Sequence, residues 1–534
     1  MKLPFTNNYF KVFKWKQAEK ILFLLVVIVS SWPIMATRVF AMLDAPAHLY
    51  NAKLLYEMLF KHNIAIGQWY SFNNLIVPNW TGHALLVFLL IFFNALWAQK
   101  IFILLYLLIF PFSFRYLISS TKGNIAISYF AFPFAFSFFF FLGFFNFLIG
   151  LPIMFFAMGY WIENLNLVKF KFFAVLTLFS VLIYLSHPII FAIWCVFLLL
   201  NFLFGILLIS GKSRLRDLLK RIVFLTAAIL PSLIIAVLYV LYQPKDAKNI
   251  IVTTTQLGTW LKNLRSLVVF NFEKEYNYTH LLFCTIVAMF FLGILYSIYR
   301  FRTEIYRTIW AAGRKSIWFV LSGVILVLYF WLPDQSNGGE FISSRLNFLF
   351  FIFFVLGIAQ LKQFKIVNIT VVIIIVIAFN LQLFYYNENM KPLNKNAEAI
   401  AGISEYIDEG KTMISIDRTQ NWMQGHLIDY AGAGKLVYLH QNYEASKKYF
   451  PLVWNLKTKP ELYFSDITPG NPCIYLMQSE SKKKCQADYV MIIGNNSIDI
   501  KCDSLISNSL SNHYTLFYKS ADDFVSLYKL QVSK

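Results

Sequence analysis

The sequence predicts an α-helical polytopic membrane protein. It should have about eleven transmembrane helices, interfacial or re-entrant segments and a C-terminal soluble α/β domain. Three observations carry this. Phe occurs 57 times in 534 residues, 58% of the chain is hydrophobic and only 14% is charged, where a soluble domain carries roughly 25% charged residues. At least ten apolar stretches, among them Ile21 to Met35, Ile222 to Tyr242 and Ile366 to Tyr386, approach or exceed the roughly 20 residues that cross a bilayer. After Asn387 the composition becomes that of an ordinary soluble domain.

Loop charge orders the helices. Lys2, Lys11, Lys14, Lys16 and Lys20 put the N-terminus in the cytoplasm, because basic residues stay inside. The first apolar stretch lacks a small-residue cleavage site and reads as a retained helix. Three more loops are basic: Lys212 to Arg221, Arg300 to Lys315 and Lys362 to Lys365. Seven apolar stretches (20–37, 81–98, 101–118, 124–142, 147–162, 170–187 and 188–210) lie between two inside segments, which require an even number of crossings. Arg115 with Lys122 and Lys169 with Lys171 read as inside loops, so the stretch that fails to cross is Thr81 to Ala98. Residues 1–386 then form the membrane domain with one long outer loop, 38–99, and 387–534 form an extracytoplasmic domain at the cell (inner) membrane.

The tail carries one helical pattern, Ala397 to Asp408, and six short strand patterns beginning at Thr412, Leu436, Cys473, Tyr489, Tyr514 and Val525. The net charge of +20 sits in short segments between apolar runs. That pattern is topogenic, and with no nucleic-acid motif it excludes a nucleic-acid binder. Of five cysteines, Cys195 and Cys284 fall in apolar runs, while Cys473, Cys485 and Cys502 allow one disulfide in an oxidising compartment.

Chemistry concentrates at the outer ends of helices. Asp44 follows the first helix, Pro46 suits the first turn of the next, and Leu49, Ala52, Leu55 and Leu59 recur at the spacing of an amphipathic helix lying on the membrane. Asp44 and His48, four apart, share a face of that helix, or Asp44 is only its N-cap. His187 interrupts two apolar stretches, and His83 and His280 each begin one; all three also fit helix-end residues in solvent. Asp334 and Glu340 share an outer loop with Arg345, which opens an apolar helix and is either a phosphate fork or a snorkelling anchor. Gly338 and Gly339 permit close backbone approach to a ligand there. Oxygen ligands from Asp44 and Glu340 would suit Mg²⁺ or Mn²⁺. Trp69, Tyr70 and Trp80 in the outer loop anchor it or stack on a sugar. Phe138 to Phe141 reads as lipid-facing or packing, and His426, near Asp417 and Asp429, as a surface residue.

This layout resembles the GT-C superfold glycosyltransferases, which use polyprenyl-phosphate sugars. The shared features are a first helix, an acid at its outer end and a juxtamembrane helix. Gly143-Phe-Phe-Asn-Phe-Leu-Ile-Gly150 at an outer turn, His187 after Tyr184-Leu-Ser, and Gly338-Gly-Glu-Phe-Ile-Ser-Ser-Arg345 before a helix are similar to uncharacterised bacterial members. The resemblance covers roughly residues 20–385. It implies transfer of a sugar from a polyprenyl phosphate to an envelope glycan, lipid or protein, with Asp44 as catalytic base. His48, His187, Glu340 and Arg345 would bind substrate. Many members carry two adjacent acids where this chain has Asp44-Ala45, so either a second acid comes from elsewhere, with Glu340 and Asp334 as candidates, or the chemistry differs. A transporter or flippase of lipid-linked saccharides, or a non-catalytic assembly protein, are the competing readings. A transporter more often shows internal repeats, and the sequence has none.

Overall fold

The structure, a computed structural model, describes residues 6–164, 170–207, 212–242, 249–300, 317–336, 339–464, 484–498 and 500–531. The first helices are α1 (Thr6–Met35), α2 (Ala45–Phe60), α3 (Thr81–Leu90) and α4 (Ala95–Ser120). The chain continues through α5 (Ala131–Ala135), α6 (Phe138–Phe141), α7 (Phe145–Glu163), α8 (Phe170–Ser186), α9 (Pro188–Leu207) and α10 (Lys212–Tyr242). Then come α11 (Thr254–Lys262), α12 (Phe272–Arg300), α13 (Ile317–Trp331), α14 (Ile342–Ala359) and α15 (Lys365–Gly402).

Seven of the described helices are long and apolar enough to cross a membrane. The other four expected crossings are shorter apolar segments: Ile125–Phe141, Phe170–Ser186, Pro188–Phe204 and Ile317–Trp331. Helix α3 has only 10 residues, a rise of about 15 Å against a hydrocarbon core of about 30 Å. By itself it is too short to cross, and the stretch expected not to cross, Thr81 to Ala98, is this helix with the start of α4.

Segment 125–141 is a broken helix, made of a 3₁₀ turn (Ile125–Phe130), α5 and α6. Irregular backbone at membrane depth needs partners inside the protein, and they are present. Gln382 Nε2 donates to the carbonyls of Pro133 (3.4 Å) and Phe136 (3.3 Å), and the Tyr106 hydroxyl donates to Ala135 O (3.3 Å). Phe138 to Phe141 are all buried, so this run packs and does not face lipid. The break delivers the chain to Asp44: Leu43 N–H and Asp44 N–H donate to Phe141 O (3.1 Å) and Leu142 O (2.9 Å).

The tail continues from α15, which runs unbroken for 38 residues. The helix expected over 397–408 is the end of α15, up to Gly402, followed by a 3₁₀ turn (Ile403–Tyr406), and the expected boundary after Tyr386 falls inside α15. Short strands follow: β2 (Thr412–Asp417), β3 (Tyr438–Leu439), β4 (Leu452–Trp454), β5 (Glu461–Tyr463), β6 (Lys484–Gln486), β7 (Tyr489–Ile493), β8 (Tyr514–Lys519) and β9 (Val525–Leu530), with β1 (Tyr70–Phe72) in the outer loop. Helices α16 (Asp429–Gly434) and α17 (Ile500–His513) complete the described elements. One five-stranded sheet has the order β3-β2-β7-β9-β8, parallel among β3, β2 and β7 and antiparallel at β9 and β8. The strand expected at Cys473 lies outside the described residues. Cys502 is disulfide-bonded.

The outer loop and the tail interlock, so they lie on one side of the helices. Strand β1 pairs antiparallel with β4. Tyr70 stacks on Trp454 with ring centroids 4.6 Å apart, and Trp69 on Tyr438 at 5.0 Å, so these two aromatics bind the tail and do not form an open sugar platform. Tyr50 OH donates to Val437 O (2.7 Å), and Asn51 and Asn442 exchange amide hydrogen bonds (3.0 Å each). Helix α2 is consequently not the exposed surface helix of the sequence reading. Leu49, Ala52 and Leu55 are buried as expected, but so are His48 and Asn51 on its polar side, because the tail covers that face.

Candidate active site

Residues 142–150 hold the site together. Gly143 has φ +70, and a Cβ on it would stand 2.7 Å from Ala45 N, so only glycine lets this turn lie against the start of α2. Asn146 Oδ1 accepts the Gly82 N–H (2.7 Å) and supplies a partner to the first turn of α3. Gly150 packs against Ser186, the residue before His187. The glycine-and-asparagine pattern seen in sequence thus fixes three separate pieces at one place.

Those pieces border a cavity of about 540 Å³, and Asp44, His48, His187, Glu340 and Arg345 all line it. Five residues chosen from loops spread over 302 positions (345 − 44 + 1) therefore meet at one place. The tail adds His426, Tyr443, Lys447 and Tyr449.

Asp44 occupies the N-cap position of α2 but makes no side-chain cap hydrogen bond. Its carboxylate turns instead toward the Tyr443 hydroxyl, and His426 Nε2 stands 3.6 Å from Oδ1. Burial is the largest influence and pushes its pKa up to about 7, with nearby His48 opposing and Glu444 adding to the rise. The His426 ring stacks on Tyr443 at 4.2 Å; it is a wall of the site and not the surface residue the sequence suggested. Burial moves its pKa down to about 4, so it is neutral near pH 7.

Arg345 lies in the first turn of α14. The preceding Phe341 takes a left-handed conformation (φ 55, ψ 35), which costs a non-glycine residue about 1–3 kcal/mol. Asp334 holds this turn: its carbonyl accepts Ile342 N–H (2.9 Å) and its Oδ1 accepts Ser343 N–H (3.0 Å). Asp334 is thus a capping residue and is not among the residues that line the cavity. The turn leaves Glu340 exposed at the rim and Arg345 nearly buried, with its guanidinium 4.8 Å from the Phe144 ring and 5.7 Å from Phe147. Among the described residues Arg345 has no ion pair, and its Nε has no hydrogen-bond partner. A snorkelling anchor would keep its head in water, and this one does not. His187 lies edge-on to Phe147 at 5.2 Å, and its Nδ1 accepts Ile189 N–H (3.2 Å), which leaves the ring proton on Nε2.

Behind His48 lies a second acid that the sequence reading missed. Glu444 is 1% exposed, with Oε1 2.5 Å from His48 Nδ1 and Oε2 2.8 Å from His83 Nε2. Burial raises its pKa, but the two imidazoles outweigh burial and hold it at about 2. His83 is buried, not a solvated helix end. Two buried carboxyls thus have opposite protonation behaviour, the pattern that separates a proton-exchanging acid from a fixed charge. Asp44 and Glu340 would be the residues to hold Mg²⁺ or Mn²⁺, which bind through one or two carboxylates plus substrate phosphates. The only group of three close metal-type side chains among the described residues is His48, His83 and Glu444.

No protein-family model and no curated protein matches the sequence. In fold, the chain is similar to the single-particle cryo-EM structure of the arabinofuranosyltransferase AftD from Mycobacteria, with a TM-score of 0.50 at 10% identity. The match covers 96% of this chain and 40% of that one, so this chain spans well under half the length of that enzyme. The likeness is one of fold alone.

Proposed function

We propose that the protein is a membrane glycosyltransferase that moves a sugar from a polyprenyl-phosphate donor to an extracytoplasmic acceptor. One observation carries the reading: an acid whose pKa is raised to about 7 and a nearly buried arginine with no ion pair closer than 4 Å among the described residues face the same cavity. An acceptor hydroxyl is a weak nucleophile. Its oxygen attacks the anomeric carbon as its proton passes to the Asp44 carboxylate, a group matched to that task near neutral pH. The bond from the anomeric carbon to the phosphate oxygen breaks, and its electron pair stays on the phosphate. Arg345 meets the charge that develops there with a two-pronged donor. His187 Nε2–H and Lys447 are further donors at the cavity. A divalent ion bound at Asp44 and Glu340 would supply added charge neutralisation at the phosphate.

The cavity's apolar side supports a lipid-linked donor. Tyr239 and Val240, at the end of α10, line it, and Val240 is 67% exposed on the helix surface. The disulfide at Cys502 fits an oxidising, extracytoplasmic compartment for the tail. The test is transfer by the purified full-length protein in lipid nanodiscs, given radiolabelled polyprenyl-phosphate sugars and an envelope extract. Label moving into the extract supports the reading. In proteoliposomes, label that crosses the bilayer still attached to its lipid would overturn it in favour of transport.

A further inference from the structure

We propose that His48, His83 and Glu444 form a binding site for a zinc-type divalent cation that fastens the tail to the membrane domain. This goes beyond the transfer reading and does not depend on it.

The three ligand atoms lie within 4.8 Å of one another, and all three residues are buried. They come from α2, from α3 and from the 3₁₀ turn Glu444–Ser446. Two imidazoles and one carboxylate make a donor set that zinc takes with three protein ligands and one open position. Mg²⁺ and Ca²⁺ prefer all-oxygen sets.

Hydrogen-bond bookkeeping supplies the second argument. His83 Nδ1 stands 2.9 Å from the carbonyl oxygen of Asn79. A carbonyl only accepts, so Nδ1 carries the proton. In a neutral ring Nε2 then presents a lone pair, and it is aimed at Glu444 Oε2 at 2.8 Å. That contact needs positive charge between the two atoms: either a second ring proton, which makes an imidazolium–carboxylate pair, or a metal ion. A ligating histidine that donates its other N–H to a backbone carbonyl is the arrangement that orients metal ligands.

His48 gives an independent observation. Its Nδ1 and Glu444 Oε1 are 2.5 Å apart, yet neither atom has a hydrogen-bond partner of acceptable geometry. The His48 and His83 rings stand edge to face at 5.1 Å, and Phe450 lies 5.9 Å from the first and 5.8 Å from the second. That apolar shell limits water at the ion.

The competing account is a proton-bridged cluster with no metal. Full-length protein, purified with a histidine-free affinity tag and equilibrated with zinc, separates the two. About one zinc per chain should survive gel filtration, and Glu444→Gln and His83→Ala should each lower it to below about 0.1 per chain. A chelator should lower the melting temperature of the unaltered protein, and added zinc should restore it. That arm needs no variant to fold. Less than about 0.1 zinc per chain together with no chelator effect, or full zinc retention by a folded Glu444→Gln protein, overturns the proposal.

Discussion

Arg115 and Arg345 are both mostly buried arginines lying over phenylalanine rings, at opposite ends of the helical domain. Arg115, near the end of α4, forks onto Glu19 with two bonds of 2.6 and 2.7 Å, while its guanidinium lies 4.5 Å from the Phe23 ring. It also reaches Ser128 Oγ at 3.3 Å. Arg345 has the aromatic half of that environment, in Phe144 and Phe147, and no ion pair among the described residues; Glu340, Asp334 and Asp44 act on it only from farther away. A buried charge without a partner costs several kcal/mol. Arg115 is satisfied by its own chain and serves the fold. Arg345 is held beside a cavity with no contact ion pair, so a bound anion can still pair with it. Sequence shows both simply as a cation beside an apolar run; the difference lies in what each one faces.

Three substitutions sharpen or break this comparison. The largest effect belongs to Asp44→Asn, which keeps size and polarity but cannot accept the acceptor's proton. Transfer should fall by about 10²- to 10⁴-fold. Gel filtration should stay normal, since Asp44 makes no capping bond that the change would remove. A folded variant with near-normal transfer would remove Asp44 from the mechanism. Next is Arg345→Lys, which keeps the charge and loses the planar fork. The donor KM should rise about 10- to 100-fold, the range of one charge-assisted bond. Smallest is Arg115→Lys. The donor KM should not move, and the melting temperature should drop by about 1–2 °C for a protein of this size. If both lysine variants raise KM equally, the contrast drawn here fails.

Part of this was legible in the residues. Asp44, His48, His187, Glu340 and Arg345 stand out because polar groups at the ends of apolar runs are few, and the fold gathers all five at one cavity. The stretch that loop charge marked as non-crossing contains α3, whose 10 residues are too few to span a bilayer alone. Glu444 was not legible. It sits in a tail rich in polar residues, and its partners His48 and His83 lie 396 and 361 positions away by subtraction, beyond any periodic signal. His83 stands at the start of an apolar run, where the pattern fits a solvated helix end equally well. The interruption at Phe136 was invisible because the residues that satisfy it, Gln382 and Tyr106, are themselves distant. Trp69 and Tyr70 were correctly seen as anchors or platforms, but the choice depends on β4, a strand the pattern did not reveal.

The clasp between outer loop and tail also sets an order of events during synthesis. His83 and Glu444 are 361 residues apart in the chain, and a ribosome adds roughly 5–20 residues per second. For roughly 20–70 s after α3 has been made, the polar faces of α2 and α3 wait on the membrane surface without the residues that will cover them. The first part of the site to be made is therefore the last to be finished, and the nascent protein must hold Asp44, His48 and His83 in reserve while most of its helices are still being inserted.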